Sequence, residues 1–192
     1  DRELWDELLQ VVIPKGRNIW AFADDDSEKL NEVGRSFEFF VLPENNEANV
    51  KKAMKDGNFF AASKYYKTTD GVGDFDGDGN VPLVTDIKVD QKANTITVAT
   101  DPTRDCRVIE WIADGKVIAT GNTIDLNDYE KDLGCYIRFQ MKGSGGVTYS
   151  QPFELQYKGR IDKPVPSWAL WVFKTEAGQK FMKFYHSHSF AL

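Results

Sequence analysis

Histidine, cysteine and methionine are scarce in this chain, at two, two and three residues of 192, and the only histidines are His186 and His188. No apolar run approaches the length of a membrane span, and no signal-peptide pattern opens the chain. Lysine and arginine are never clustered and the formal charge is −6, which excludes a phosphate-binding surface for nucleic acid. A glycine-rich phosphate loop, a Gly-x-Ser-x-Gly elbow and a Cys–His pair with an obvious nucleophile are all lacking. What is present is a hydrophobic fraction of 41% with 13% aromatic residues, enough for a real core and outside disordered composition. The length suits one domain or one and a half. The opening Asp1 is read as a processed or cropped N-terminus.

Cys106 and Cys135 each open a separate strand-like run, CRVIEWIA and CYIRFQMK. If those runs pair antiparallel, the two thiols sit at opposite ends, roughly 20 Å apart, so two free thiols are expected rather than a disulfide.

Organisation changes near residue 80. In RELWDELLQ, Leu4, Leu8 and Leu9 fall on one side with Trp5, which predicts a short amphipathic helix. NIWAFA predicts a buried strand and SFEFFVLPE a second one, ended by Pro43. Asn45 or Asn46 can cap a helix over ANVKKAMKDG with Gly57 past its end, and GNFFAASKYY returns as a strand. That order is α/β material, too short for a complete barrel. Strands are then expected at 83–89, 94–100, 106–113, 116–120, 122–126, 134–142 and 146–157, with ADGK and GSGG as hairpin turns. About seven short strands without an intervening helix read as an immunoglobulin-like antiparallel β-sandwich. DLGCY resembles the turn that precedes a corner tyrosine in such domains, although Tyr136 alternates out of phase with Ile137 and Phe139. Residues 159–192 are an extension in which ALWVFKT and KFMKFYHSHSF resemble a terminal hairpin, expected to cover the sandwich or the α/β portion.

Three constellations carry chemistry. Asp24, Asp25 and Asp26 close NIWAFA, and Glu28 follows two residues later; such crowding is costly unless solvent or a cation screens it. The same aspartates can simply cap a loop and face water. In DFDGDGN, the acids Asp74, Asp76 and Asp78 followed by Gly79 reproduce the first half of an EF-hand-type calcium loop. Asn80 supplies a backbone carbonyl there and Asp86 a closing carboxylate, since the twelfth position is Thr85; a solvated acidic linker is the alternative. His186 and His188 have the i, i+2 spacing that puts two rings on one strand face.

Taken in order, WDELL, GRNIWAFADDDSE, a Gly-Arg turn, VLPE and AMKDGNFFAAS resemble the closing segment of the PHP family of metal-dependent phosphoesterases. The resemblance implies a partial PHP-barrel segment joined to the sandwich, giving a mainly β chain with a short α/β N-terminal part. The family's Asp-x-His turn matches Asp26-Ser27-Glu28, so the resemblance implies a divalent transition metal near Asp26 and Glu28 in a complete parent domain. The family's remaining ligands, including its His-x-His motif, are missing from the N-terminal part. A non-catalytic C-terminal portion of a phosphoesterase is therefore expected, inactive alone and partnered by the missing upstream portion or by a second chain. A calcium-stabilised β-sandwich module is the rival reading. The expected boundaries are 1–66 for the α/β segment, 67–82 for the acidic linker or calcium loop, 83–158 for the sandwich and 159–192 for the extension. A calcium loop at 74–86 points to a periplasmic or extracellular location, where millimolar calcium fills weak sites.

Overall fold

The computed structural model describes residues 2–67 and 74–156. His186, His188 and the expected terminal hairpin lie outside the described residues. The apolar stripe at the start forms helix α1, Arg2–Val12, which buries Trp5, Leu9 and Val11. A 3-10 turn at Ile13–Lys15 follows, and Gly16 closes it at φ 70°. The strand expected at NIWAFA does not form. Its backbone groups are taken by side chains: Ala21 donates to Gln151 Oε1 and accepts from Gln151 Nε2, and Ala23 donates to Glu38 Oε1. A glutamine side chain thus stands where a neighbouring strand would.

Strand β1, Ser36–Phe40, leads to helix α2, Glu47–Asp56. Asn46 caps α2 through Oδ1, which accepts the Asn49 N–H at 2.9 Å, and Gly57 ends it in the left-handed region. Strands β2, Phe59–Ser63, β3, Tyr65–Lys67, and β4, Asp74–Asp76, follow. The second half supplies β5, Val84–Asp90, β6, Thr95–Thr100, β7, Val108–Ala113, β8, Lys116–Thr120, and β9, Thr123–Asp125. It ends with β10, Tyr136–Gly143, β11, Gly146–Tyr149, and β12, Phe153–Glu154.

The larger sheet runs β1-β2-β11-β10-β7-β8, with β12 also on β10; the smaller is β5-β6-β9, and β3-β4 form a ribbon. The fold is mixed α/β with two open sheets. This corrects both halves of the expected fold class. A PHP-type barrel segment needs parallel strands linked by crossovers. Here β1 pairs antiparallel with β2, and β2 antiparallel with β11, so the described residues show no barrel closure. Nor do the described residues form a closed immunoglobulin-like sandwich. The larger sheet continues past β11 into β2 and β1, drawing strands from before and after residues 67–82, and it keeps open edges at β1 and β8.

Strand alternation gives the larger sheet two different faces. On one, Ile137, Phe139 and Met141 of β10 with Ile109 and Trp111 of β7 meet Ile96, Val98 and Ile124 of the smaller sheet. Trp111 is fully buried, and its indole N–H donates to the Gly121 carbonyl at 2.8 Å. Burying a side chain of this kind contributes roughly 1.5–3 kcal/mol. On the other face Tyr136 packs with Trp5, Leu9 and Ile13 beneath α1. That explains why Tyr136 falls out of phase with Ile137 and Phe139. It is not a corner tyrosine: its hydroxyl donates to Asp6 Oδ1 at 2.7 Å and accepts the Gly115 N–H at 3.2 Å.

The ADGK hairpin forms as expected, with Asp114 at φ 48° and Gly115 at φ 75° in a two-residue turn. Both cysteines are free. The β7–β10 pairing is antiparallel, and Arg107 beside Cys106 bonds Lys142 at the far end of β10 from Cys135.

Arg138 forks onto Asp6, Nε to Oδ1 at 2.7 Å and Nη2 to Oδ2 at 2.5 Å, with both residues buried. The guanidinium carbon also lies 5.0 Å from the centre of the Trp5 ring. Removing one member strands the other charge in low dielectric. Asp6→Ala should therefore cost about 3–5 kcal/mol in urea melts, and Asp6→Leu combined with Arg138→Leu far less. Equal losses in the two variants would mean that packing, not charge, governs this contact.

Candidate functional site: an acidic face beside β1

Residues 24–35 form a compact turn between the side-chain-bonded segment and β1. Asp24 Oδ1 accepts the Asp26 N–H at 3.1 Å, an Asx turn that holds Asp26 at φ 46°. Asp25 reaches forward, its two oxygens accepting the N–H groups of Gly34 and Ser36, each at 2.6 Å. Glu32 Oε2 accepts the N–H groups of Glu28 and Lys29 and closes the 3-10 turn Leu30–Glu32. The loop-capping reading thus describes Asp24 and Asp25, while Asp26 and Glu28 point to solvent.

Electrostatics follow from these partners. The Ser36 N–H, with lesser help from Gly34 and Arg35, holds the Asp25 carboxyl below the usual carboxylate range. Burial pushes Glu38 up, helped by the negative charge of Asp24 and Asp25, against the opposing pull of the Ala23 N–H.

Around this turn the surface is apolar as well as acidic. Phe22 is 50% exposed, Val33 60%, Val41 60% and Leu30 91%. Phe22 and Phe40 both pack on Phe59, at ring separations of 4.5 and 5.4 Å, so Phe22 is continuous with β1 through that ring. Asp24, Asp26 and Glu28 of the same turn are exposed, as are Glu44 and Glu47 after β1. Sequence reasoning fastened on the carboxylates and passed over Leu30 and Val33. Their signal was present: two apolar residues with no helical or strand period inside a charged turn have no core position to fill.

The other expected ligands belong to other elements. The backbone of Asp74–Asp76 is a strand paired with β3. Asp78 Oδ1 accepts the Asn80 N–H at 2.8 Å, and Asp86 is exposed on β5 at a register shift. The Asn80 carbonyl, expected to face an ion, lies where a Cβ on Gly145 would fall. Gly79 donates to the Gly145 carbonyl at 3.0 Å. A Cβ on Gly77 would collide with that same carbonyl. Gly77 is thus required by close packing against the β10–β11 turn, and Gly79 by its φ of 88°.

Among the described residues no group of three or more His, Cys, Asp or Glu is placed to hold a metal ion. Asp26 and Glu28 therefore do not amount to the peripheral ligands of a phosphoesterase centre. No described helix is long and apolar enough to cross a membrane.

The opposed shifts of Asp25 and Glu38 give opposite pH behaviour. Asp25, with a lowered folded pKa, contributes stability that is present above its unfolded pKa and lost as pH falls through the folded one. Glu38, with a raised folded pKa, costs stability above that value and nothing below its unfolded pKa. Asp25→Asn should destabilise modestly at pH 7, with the difference fading as pH falls below about 4. Glu38→Gln keeps an acceptor for Ala23 and should stabilise at pH 7. Thermal melts between pH 3 and 8 check both signs; variants that track the parent throughout would sink this assignment.

The expectation of a PHP-family phosphoesterase portion is overturned by the open antiparallel sheets and by the lack of a metal-holding group among the described residues. Comparison with protein families, curated proteins and solved structures found no match for this chain.

Proposed function

We propose that this fold is a protein-interaction module whose acidic, apolar face beside β1 receives a basic, aromatic polypeptide segment. The observation that carries the reading is the exposure of Leu30 and Val33 in a turn that also carries solvated Asp24, Asp26 and Glu28. Exposed apolar groups rimmed by polar ones mark interaction surfaces, and like-signed rim charge selects a partner of the opposite sign. Lys29 and Arg35 are the basic residues between Asp24 and Glu47, so the local field is strongly negative. Apolar contact supplies affinity while the carboxylates supply orientation and rate.

The test is fluorescence anisotropy of the full chain with a labelled Lys/Trp/Phe peptide and a Lys/Ala control of equal charge. The aromatic peptide should bind at least tenfold more tightly than the control. Leu30→Ser with Val33→Ser should erase that preference, and raised salt should weaken both complexes. Equal binding of the two peptides, or a preference that survives the double variant, would overturn the reading.

A further inference from the structure

Resting on that reading, we infer that the basic, aromatic partner binds as an antiparallel β-strand added to the open edge of β1, its basic and aromatic side chains in strict alternation. The first argument is the backbone of that edge. The Val41 N–H donates to the Asn58 carbonyl and the Lys64 N–H to the Arg35 carbonyl, at 2.9 Å each. Bonded positions alternate in an antiparallel pair, so Arg35, Phe37, Phe39 and Val41 turn their backbone groups toward β2. Ser36, Glu38 and Phe40 turn theirs away from the sheet. Asp25 marks that direction: its Oδ1 accepts the Ser36 N–H at 2.6 Å, in the place of a partner strand's carbonyl. The peptide groups of Glu38 and Phe40 face outward along the same line, a template for a further strand. Other edges suit this less. Strands β5 and β8 each carry a register shift and β9 has three residues, whereas β1 holds unbroken register with β2 over its five residues. Bulged or short edges resist pairing. Every described pair of the larger sheet is antiparallel, and the added strand continues that pattern.

The side chains of β1 supply the second argument, because they set the partner's pattern. Glu38 shares a face with Ser36 and Phe40. Burial, then the charges of Asp24 and Asp25, push its carboxyl up, so a lysine or arginine set opposite it relieves a standing repulsion. Phe37 and Phe39 lie on the other face with their ring centres 5.3 Å apart, and the Arg104 guanidinium sits 5.7 Å over Phe39. A second cation is repelled there, while an aromatic ring extends the cluster. Successive side chains of a strand point to opposite faces, so a partner that suits both faces alternates basic and aromatic residues. The turn that bears Leu30 and Val33 runs directly into Ser36, so a strand laid along this edge reaches that turn. In antiparallel register the basic residue opposite Glu38 is also the one whose N–H and C=O face β1.

The experiment measures fluorescence anisotropy of the full chain with labelled peptides kept dilute enough to be monomeric. One peptide alternates lysine and phenylalanine; a second carries the same residues in two blocks. The alternating peptide should bind about tenfold more tightly than the blocked one. Backbone N-methylation of its lysines keeps their charge but removes the donors that face β1, and should cost about tenfold in affinity. N-methylation of its phenylalanines, whose donors face away, should leave binding unchanged. Amide hydrogen exchange of the complex should slow at Glu38 and Phe40. Equal effects of the two N-methyl series, or exchange at Glu38 and Phe40 untouched by a peptide that binds, would overturn strand addition. If the Leu30/Val33 dependence persists in that case, the interaction module stands without it. Protection of the same two amides that rises with protein concentration in the absence of peptide would assign the edge to a second copy and also overturn the inference. Loss of aromatic preference in every form would instead remove the module reading itself.

Discussion

The buried fork between Asp6 and Arg138 is the constraint on which the arrangement of the chain depends. It joins the first helix to the central strand β10 across 132 residues of sequence, and Tyr136 completes it. Burial, followed by the charge of Asp6, pushes the Tyr136 hydroxyl above its ordinary range, so it stays a donor to the carboxylate at any working pH. A pair like this adds little net stability, because desolvation offsets the attraction. Its effect is on geometry: a planar guanidinium accepts only one placement of the helix. With α1 held there, the segment after Gly16 is led across the sheet to Gln151, and from there to the acidic turn and β1.

A second stitch fixes the opposite side. The turn at 77–80 and the turn at 143–146 approach so closely that backbone meets backbone, and side chains at Gly77 and Gly145 would collide. Gly143 faces the Asp105 carbonyl in the same way, while Asp105 accepts the Ser144 N–H at 2.7 Å. The Ser144 side chain, and after it this N–H, hold the Asp105 carboxyl below its ordinary range. Thr148, fully buried, donates to the Pro82 carbonyl at 2.6 Å and ties the start of the second half to β11. Such glycines make the residues after β4 a packed part of the sheet's rim.

Much of this was legible locally. Helix α2 was announced by Asn46 and Gly57, α1 by its apolar stripe, and the β7–β8 hairpin by Asp114-Gly115, because caps and turns are written within a few residues. The strands of the second half fell near their expected places for the same reason. What could not be read was long-range. NIWAFA has the composition of a strand, yet its backbone partner is a glutamine side chain 130 residues away. The immunoglobulin-like reading took 146–157 as one strand where β11 and β12 form, and it could not see β2 hydrogen-bonding to β11, which leaves the sheet open. The acidic turn was legible as a place, and of its two readings the loop cap describes Asp25, whose oxygens go to nearby backbone N–H groups as those of Glu32 do.

The central claim is that the acidic turn with its exposed Leu30 and Val33 is a binding surface rather than incidental exposure. Amide hydrogen exchange of the full chain, with and without saturating Lys/Trp/Phe peptide, addresses it most directly. The account predicts that the peptide alters exchange within residues 22–47 while leaving the amides of β7, β8 and β10 unchanged. Exchange altered only at the opposite sheet edge, or nowhere, would contradict it.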